Sequence, residues 1–147
     1  MRVAITADHN GVALKAGLTA MVRGNGHDVI DLGAHGPAEV DYPPLCAELC
    51  RHVVDGRVDR GIVVGGSGLG ETVACNKIRG IRAGLCPDLF HARISRGNND
   101  SNVLVLGAKV VAPDLAGEIV TTWLETPFKG GVHQRRLEQI AALERGQ

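Results

Sequence analysis

Two short segments gather the residue types that do chemistry. One is Asp8-His9-Asn10-Gly11, and the other is Gly65-Gly66-Ser67-Gly68-Leu69-Gly70-Glu71. The glycines at 65, 66, 68 and 70 let the main chain approach a ligand closely and adopt positive φ. Successive N–H groups in such a loop can form an anion nest. Glu71 closes the loop. A carboxylate held beside such a nest can remove a proton α to a carbonyl while the nest takes up the developing charge. The same carboxylate at a helix start can equally do no more than complement the helix dipole. Asp8 alone reads as an N-cap for a helix beginning near Gly11; paired with His9 across a cleft, it could handle hydroxyl protons. The glycine spacing is not that of a P-loop, which ends in Lys-Ser/Thr. Nor is it a dinucleotide fingerprint, which is one residue longer and follows the first strand. A third cluster is His133, Arg135 and Arg136. Cations at a helix start oppose the dipole, so a phosphate partner is a reason for them beside ordinary solvation.

These residues need a frame, and the hydrophobic pattern supplies one. Apolar runs at 2–7, 27–32, 60–64, 81–86 and 102–106 predict five buried strands. Helical spacing recurs at 12–23, 42–54, from the glycine loop to about 77, and at 88–96, 113–124 and 133–145. Pro43 and Pro44 suit a first helical turn. Short apolar strands alternating with helices predict an α/β fold. It is a Rossmann-like three-layer αβα sandwich with a five-stranded parallel sheet and an extra C-terminal helix, residues 1–147 making one domain. In such sheets ligands bind beyond the carboxyl ends of the strands, where both loops fall. Leu137, Ile140, Ala141 and Leu143 on the last helix need an apolar surface, either a partner subunit or the chain's own sheet.

Composition closes off other classes. Lys and Arg number 16, as do Asp and Glu, so no basic excess points to nucleic acid. With 44% hydrophobic residues, a disordered chain is excluded. The apolar runs are far shorter than the ~20 residues of a membrane span. Residues 1–7 do not read as a signal peptide, and the expected location is the cytoplasm. Cys46, Cys50, Cys75 and Cys86 show no disulfide framework. Cys46 and Cys50 share a helix face but lack further ligands at zinc spacing, so they read as small buried residues and no metal is expected. His27, His35, His52 and His91 read as solvated.

At these motifs the chain resembles the type B ribose-5-phosphate isomerases, which share a family with the galactose-6-phosphate isomerases. The resemblance spans nearly the whole length. It rests on Ala7-Asp8-His9 with Gly11 and Leu14-Lys15, on Asp41-Tyr42-Pro43, and on the glycine loop through Glu71. It continues through Asn76-Lys77-Ile78-Arg79-Gly80-Ile81-Arg82-Ala83, Asn99-Asp100-Ser101-Asn102-Val103 and His133-Gln134-Arg135-Arg136. The resemblance implies a cofactor-free aldose–ketose isomerase of phosphorylated sugars working through an enediolate. One branch of the family uses a Cys in the loop as base. Here that position is Ser67, and Glu71 matches the base of the other branch. Loop amides of Gly66, Gly68, Leu69 and Gly70, with the Ser67 hydroxyl, would hold the oxyanion. By the same resemblance Asp8 contacts sugar hydroxyls and Tyr42 packs at the substrate. Asn99 belongs to the site, and His9, Lys109, His133 and Arg136 approach the phosphate.

Three positions depart from the family pattern. Asn98 stands where a ring-opening histidine is usual, Val132 where an arginine precedes His133, and Lys109 where an arginine is common. An amide does not exchange a proton near neutral pH. Ribose 5-phosphate closes a five-membered ring through O4, whereas O4 of a tetrose 4-phosphate carries the phosphate and cannot. Ribose 5-phosphate to ribulose 5-phosphate is therefore the default reaction, and erythrose/erythrulose 4-phosphate is the alternative that Asn98 suggests. A sugar-phosphate-binding protein without catalysis is the alternative of another class, with a nucleotide-binding module behind it. Asn98 and Asn99 precede the fifth strand, at the sheet edge opposite Glu71, and a strand of five residues spans ~17 Å. If they line one pocket, Asn98 comes from a second copy. A homodimer with shared sites is expected, and dimers could pair into tetramers.

Overall fold

The computed structural model describes residues 1–146. Five strands alternate with helices: β1 (Arg2–Ala7), α1 (Val12–Gly24), β2 (Asp28–Asp31), α2 (Tyr42–Val54), β3 (Arg60–Gly65), α3 (Leu69–Asn76), β4 (Ala83–Leu85), α4 (Leu89–Gly97), β5 (Val103–Gly107), α5 (Pro113–Glu125) and α6 (Val132–Arg145). All neighbouring strands are parallel, in the order β2-β1-β3-β5-β4. The three-layer αβα architecture expected from the sequence is present.

Alternation along the central strands explains their continuous apolar runs. Val3, Ile5, Ile62, Val64, Leu104 and Leu106 face one core with Leu18 and Val22 of α1 and Ile119, Val120 and Trp123 of α5. Ala4, Val63, Val103 and Val105 face the other core, with Cys46, Leu49 and Cys50 of α2 and Cys75 of α3. A strand buried on both faces has no polar side to show. All four cysteines are buried, as their small apolar character suggested. His52 departs from its solvated reading: its side chain is 12% exposed, and Nδ1 lies 3.0 Å from the Glu48 carbonyl.

β4 is shorter than the apolar run 81–86. The Arg82 N–H donates to Asn102 Oδ1 at 2.8 Å, so it leaves the ladder. The Asn76 side chain covers the sheet edge, donating to the Ala83 carbonyl at 3.0 Å and accepting its N–H at 2.9 Å. An amide clamp of this kind blunts an edge strand. Helix α6 buries no residue. It is tethered near its end, where Gly80 N–H donates to Glu144 Oε1 at 2.9 Å, and it does not pack back on the sheet. None of the described helices is long and apolar enough to cross a membrane.

Candidate active site

The strand order places β1 beside β3, with the chain winding outward to β2 on one side and to β5 and β4 on the other. That reversal opens a crevice at the carboxyl ends of β1 and β3. The Asp8 loop and the glycine loop meet there. Asp8 N–H reaches the Val64 carbonyl at 3.3 Å, and a Cβ at Gly66 would sit 3.3 Å from Asn10 Nδ2.

Asp8 is not the N-cap of α1. Gly11 holds that position, with no side-chain capping bond. The Asp8 carboxylate instead accepts the Asn10 N–H at 2.9 Å and the Asn10 side-chain amide at 3.1 Å. This Asx turn points the carboxylate into the crevice side of the loop, and the residue is 7% exposed.

Glu71 lies in the first turn of α3 and is 4% exposed. A Cβ on Gly65 would collide with its carboxylate, so the side chain folds back over the end of β3. The preceding Gly68 has φ +81°, the left-handed conformation that turns the chain from loop into helix. Burial pushes the Glu71 carboxyl above its ordinary value; its own backbone N–H works against this, and the Asp8 charge adds to it. The shift makes Glu71 a stronger proton acceptor than an exposed carboxylate would be. Among the described residues, the N–H groups of Gly66, Ser67, Gly68 and Gly70 have no protein acceptor. They remain free for an anion.

Further groups complete the crevice. A Cβ on Gly70 would collide with the Tyr42 hydroxyl, so the first residue of α2 lies directly over the loop. The Lys109 N–H donates to the Gly66 carbonyl at 2.9 Å, which brings its exposed side chain beside the loop. His9 Nδ1 accepts the Val40 N–H at 3.3 Å, and its Nε2 lies 3.4 Å from Asn10 Nδ2. Ser67 Oγ accepts the Leu69 N–H at 3.2 Å, and both residues are exposed at the loop tip.

Asn98, Asn99, His133 and Arg136 are elsewhere. Asn98 follows α4 at the amino edge of the sheet, and its Oδ1 accepts from Lys129 Nζ at 3.1 Å. Asn99 lines a cavity of about 570 Å³ with Arg82, Ser101 and the apolar face of α6 (Leu137, Ile140, Leu143). Leu143 is 72% exposed. His133 and Arg136 lie on the first turns of α6 and contact nothing in the Glu71 crevice. One chain thus brings Glu71, the glycine-loop amides and Asp8 together, and leaves Asn98, Asn99, His133 and Arg136 outside that crevice.

Two positioning groups escaped the reading of the sequence. Asn10 ties Asp8 to the glycine loop; its place two residues after an Asp was the available signal. Lys15 is buried and ion-paired with Asp31, whose Oδ1 also accepts the Gly33 N–H at 3.0 Å. Burial works to raise the Asp31 carboxyl, but Lys15 and Gly33 outweigh it and hold it low. The Gly33 carbonyl in turn receives the Ala7 N–H at 2.8 Å, so this pair anchors the end of β1 just before Asp8.

The family model described as Ribose/Galactose Isomerase matches residues 3–140. The chain is 41% identical to ribose-5-phosphate isomerase B of Escherichia coli, over 97% of this chain and 96% of that one. It is 35% identical to D-erythrulose-4-phosphate isomerase of Pectobacterium atrosepticum, over 98% and 95%. The solved structure of Clostridium thermocellum ribose-5-phosphate isomerase B superposes with a TM-score of 0.98 at 44% identity, covering 99% of both chains. With the sheet from Val3 onward and both crevice loops inside the matched span, the chain belongs to the ribose/galactose isomerase family.

Proposed function

We propose that the protein interconverts a phosphorylated aldose and its ketose through an enediolate, with Glu71 carrying the proton between C1 and C2. The observation that carries this reading is a buried carboxylate folded against Gly65, beside a loop in which the N–H groups of Gly66, Ser67, Gly68 and Gly70 have no protein acceptor among the described residues. In this reading the carboxylate takes the proton α to the carbonyl while the amides of Gly66, Ser67, Gly68 and Gly70 stabilise the oxyanion. Transfer of the O2 hydroxyl proton to O1, with return of the carbon-bound proton to the neighbouring carbon, completes the isomerisation and restores the carboxylate. No step calls for a redox partner or metal. Asp8 holds sugar hydroxyls, Tyr42 closes one wall, and His9 and Lys109 face the phosphate. Asn98, Asn99, His133 and Arg136 act in the site of a homodimer. The uncovered apolar face of α6 supports such an assembly.

Ribose 5-phosphate is the default substrate, supported by the relatives from Escherichia coli and Clostridium thermocellum. A four-carbon sugar 4-phosphate is the second reading. It is favoured by the Asn98 amide, which cannot shuttle the proton that ring opening needs, and by the relative acting on D-erythrulose 4-phosphate. Side-by-side kcat/KM on ribose 5-phosphate and erythrose 4-phosphate separates the two: a large preference for the pentose removes the tetrose reading. Incorporation of solvent deuterium at C1 or C2 separates catalysis from mere binding. Its absence from every sugar phosphate tried would overturn the isomerase assignment.

A further inference from the structure

Lys129 lies in the segment between α5 and α6, a stretch with no role in the site as described so far. Three contacts fix it. Its N–H donates to the Gly97 carbonyl at 3.0 Å, and its Nζ donates to Asn98 Oδ1 at 3.1 Å. Its stem crosses Gly97, where a Cβ would stand 3.2 Å from Lys129 Cε. The partner of the ammonium is a neutral amide. A carboxylate in that place would hold the ammonium and cancel its charge; the amide oxygen holds it and leaves the charge intact. Two of the three ammonium N–H bonds remain available.

The surroundings add to this charge. From Thr126 to Leu137 the chain has no acidic residue but carries Lys129, His133, Arg135 and Arg136. None of these forms an ion pair among the described residues. This patch belongs to a chain with net charge zero, and three of its members oppose the dipole of α6. Positive charge without carboxylate partners is the arrangement that receives a dianion.

We propose that Asn98 and Lys129 act as one unit, in which Asn98 is a positioning residue and the Lys129 ammonium binds the phosphate of the substrate. This rests on the isomerase and homodimer reading above and deepens it. The ammonium beside Asn98 contributes positive charge at a position where the amide itself exchanges no proton.

Two measurements test the unit. Binding of 4-phospho-D-erythronate, a four-carbon acid phosphate that cannot isomerise, is followed by calorimetry in the full-length protein. Lys129→Met weakens it by about tenfold or more, and Lys129→Arg keeps it within about threefold. Asn98→Ala weakens it too, but the Asn98→Ala/Lys129→Met double variant is no weaker than Lys129→Met alone, because both changes remove one interaction. In steady-state kinetics the Met variant shows its effect mainly in KM, and its kcat/KM depends less on salt than that of the wild type. Sedimentation and Tm equal to wild type exclude a merely structural cause. Equal binding by the wild type and Lys129→Met, or no binding by the wild type, overturns the proposal. If the wild type isomerises sugar phosphates and Lys129→Met changes nothing, this inference fails alone. If nothing is isomerised yet Lys129→Met loses binding, the isomerase reading fails and the unit stands.

Discussion

The two polar regions of this molecule are built in opposite ways. At the carboxyl edge, Glu71 and Asp8 are buried, locked by glycine contacts and an Asx turn, and surrounded by groups from β1, α2, β3 and β5. At the amino edge Asn99 is exposed, and at the start of α6 Arg136 is exposed too; His133, Arg135 and Arg136 pair with no carboxylate among the described residues. A carboxylate that must take a proton gains from desolvation, which lifts its affinity for that proton. Cations that must catch a mobile dianion gain from staying accessible and unneutralised. In the proposed reading the first region is complete within one chain, whereas the second is completed by a partner subunit.

The largest effect that would break this contrast lies at Glu71. Replacement by Gln should lower kcat by about 10²–10⁴-fold, with a smaller change in substrate affinity. Turnover equal to wild type would remove the base from the account. Next in size is a mixing experiment on the shared site. Chains carrying Glu71→Gln and chains carrying His133→Ala/Arg136→Ala, each strongly impaired alone, should recover about a quarter of wild-type activity when unfolded and refolded together. Half the random dimers are mixed, and each of those holds one intact site of two. No recovery places both groups in the same chain's site.

A subtler effect concerns pH. The Asp8 charge adds to the rise of the Glu71 carboxyl. In Asp8→Asn that carboxyl should ionise more readily, and the acid limb of kcat/KM should move to lower pH. A limb that stays put or moves upward would show that Asp8 does not act on Glu71 through charge. The smallest effect is thermal. Because the folded Glu71 carboxyl sits above its unfolded value, its contribution to stability is full at low pH and is lost as pH rises through the folded value. Glu71→Gln escapes that loss. Its Tm should exceed the wild type's by a few degrees at pH 8, about 2–4 °C for each kcal/mol relieved, and the gap should narrow toward pH 4. Scanning calorimetry at several pH values reads this directly.

Much of the frame was legible because period-two burial on both faces leaves unbroken apolar runs such as 102–106, and because helices between them carry their own spacing. β4 was overextended because hydrophobicity does not reveal that Arg82 N–H turns to Asn102 Oδ1. Asp8 was misjudged as a cap for a related reason. An Asp before a helix can cap it or turn on its own neighbour, and only the close approach of Gly11 to the Val64 carbonyl decides between them. The glycine loop and Glu71 stood out in sequence because they are contiguous. Asn10 and Lys15 did not, since their partners lie across a turn or on another strand.

Local chemistry was thus in the order of residues: which segment pairs with water, which turns, and which carries a nest beside a carboxylate. Whether Glu71 meets solvent or Gly65, and whether Lys129 reaches Asn98, was settled by packing between distant segments. Desolvation and charge pairing depend on distances through space, and those exist only once the sheet has brought its edges together.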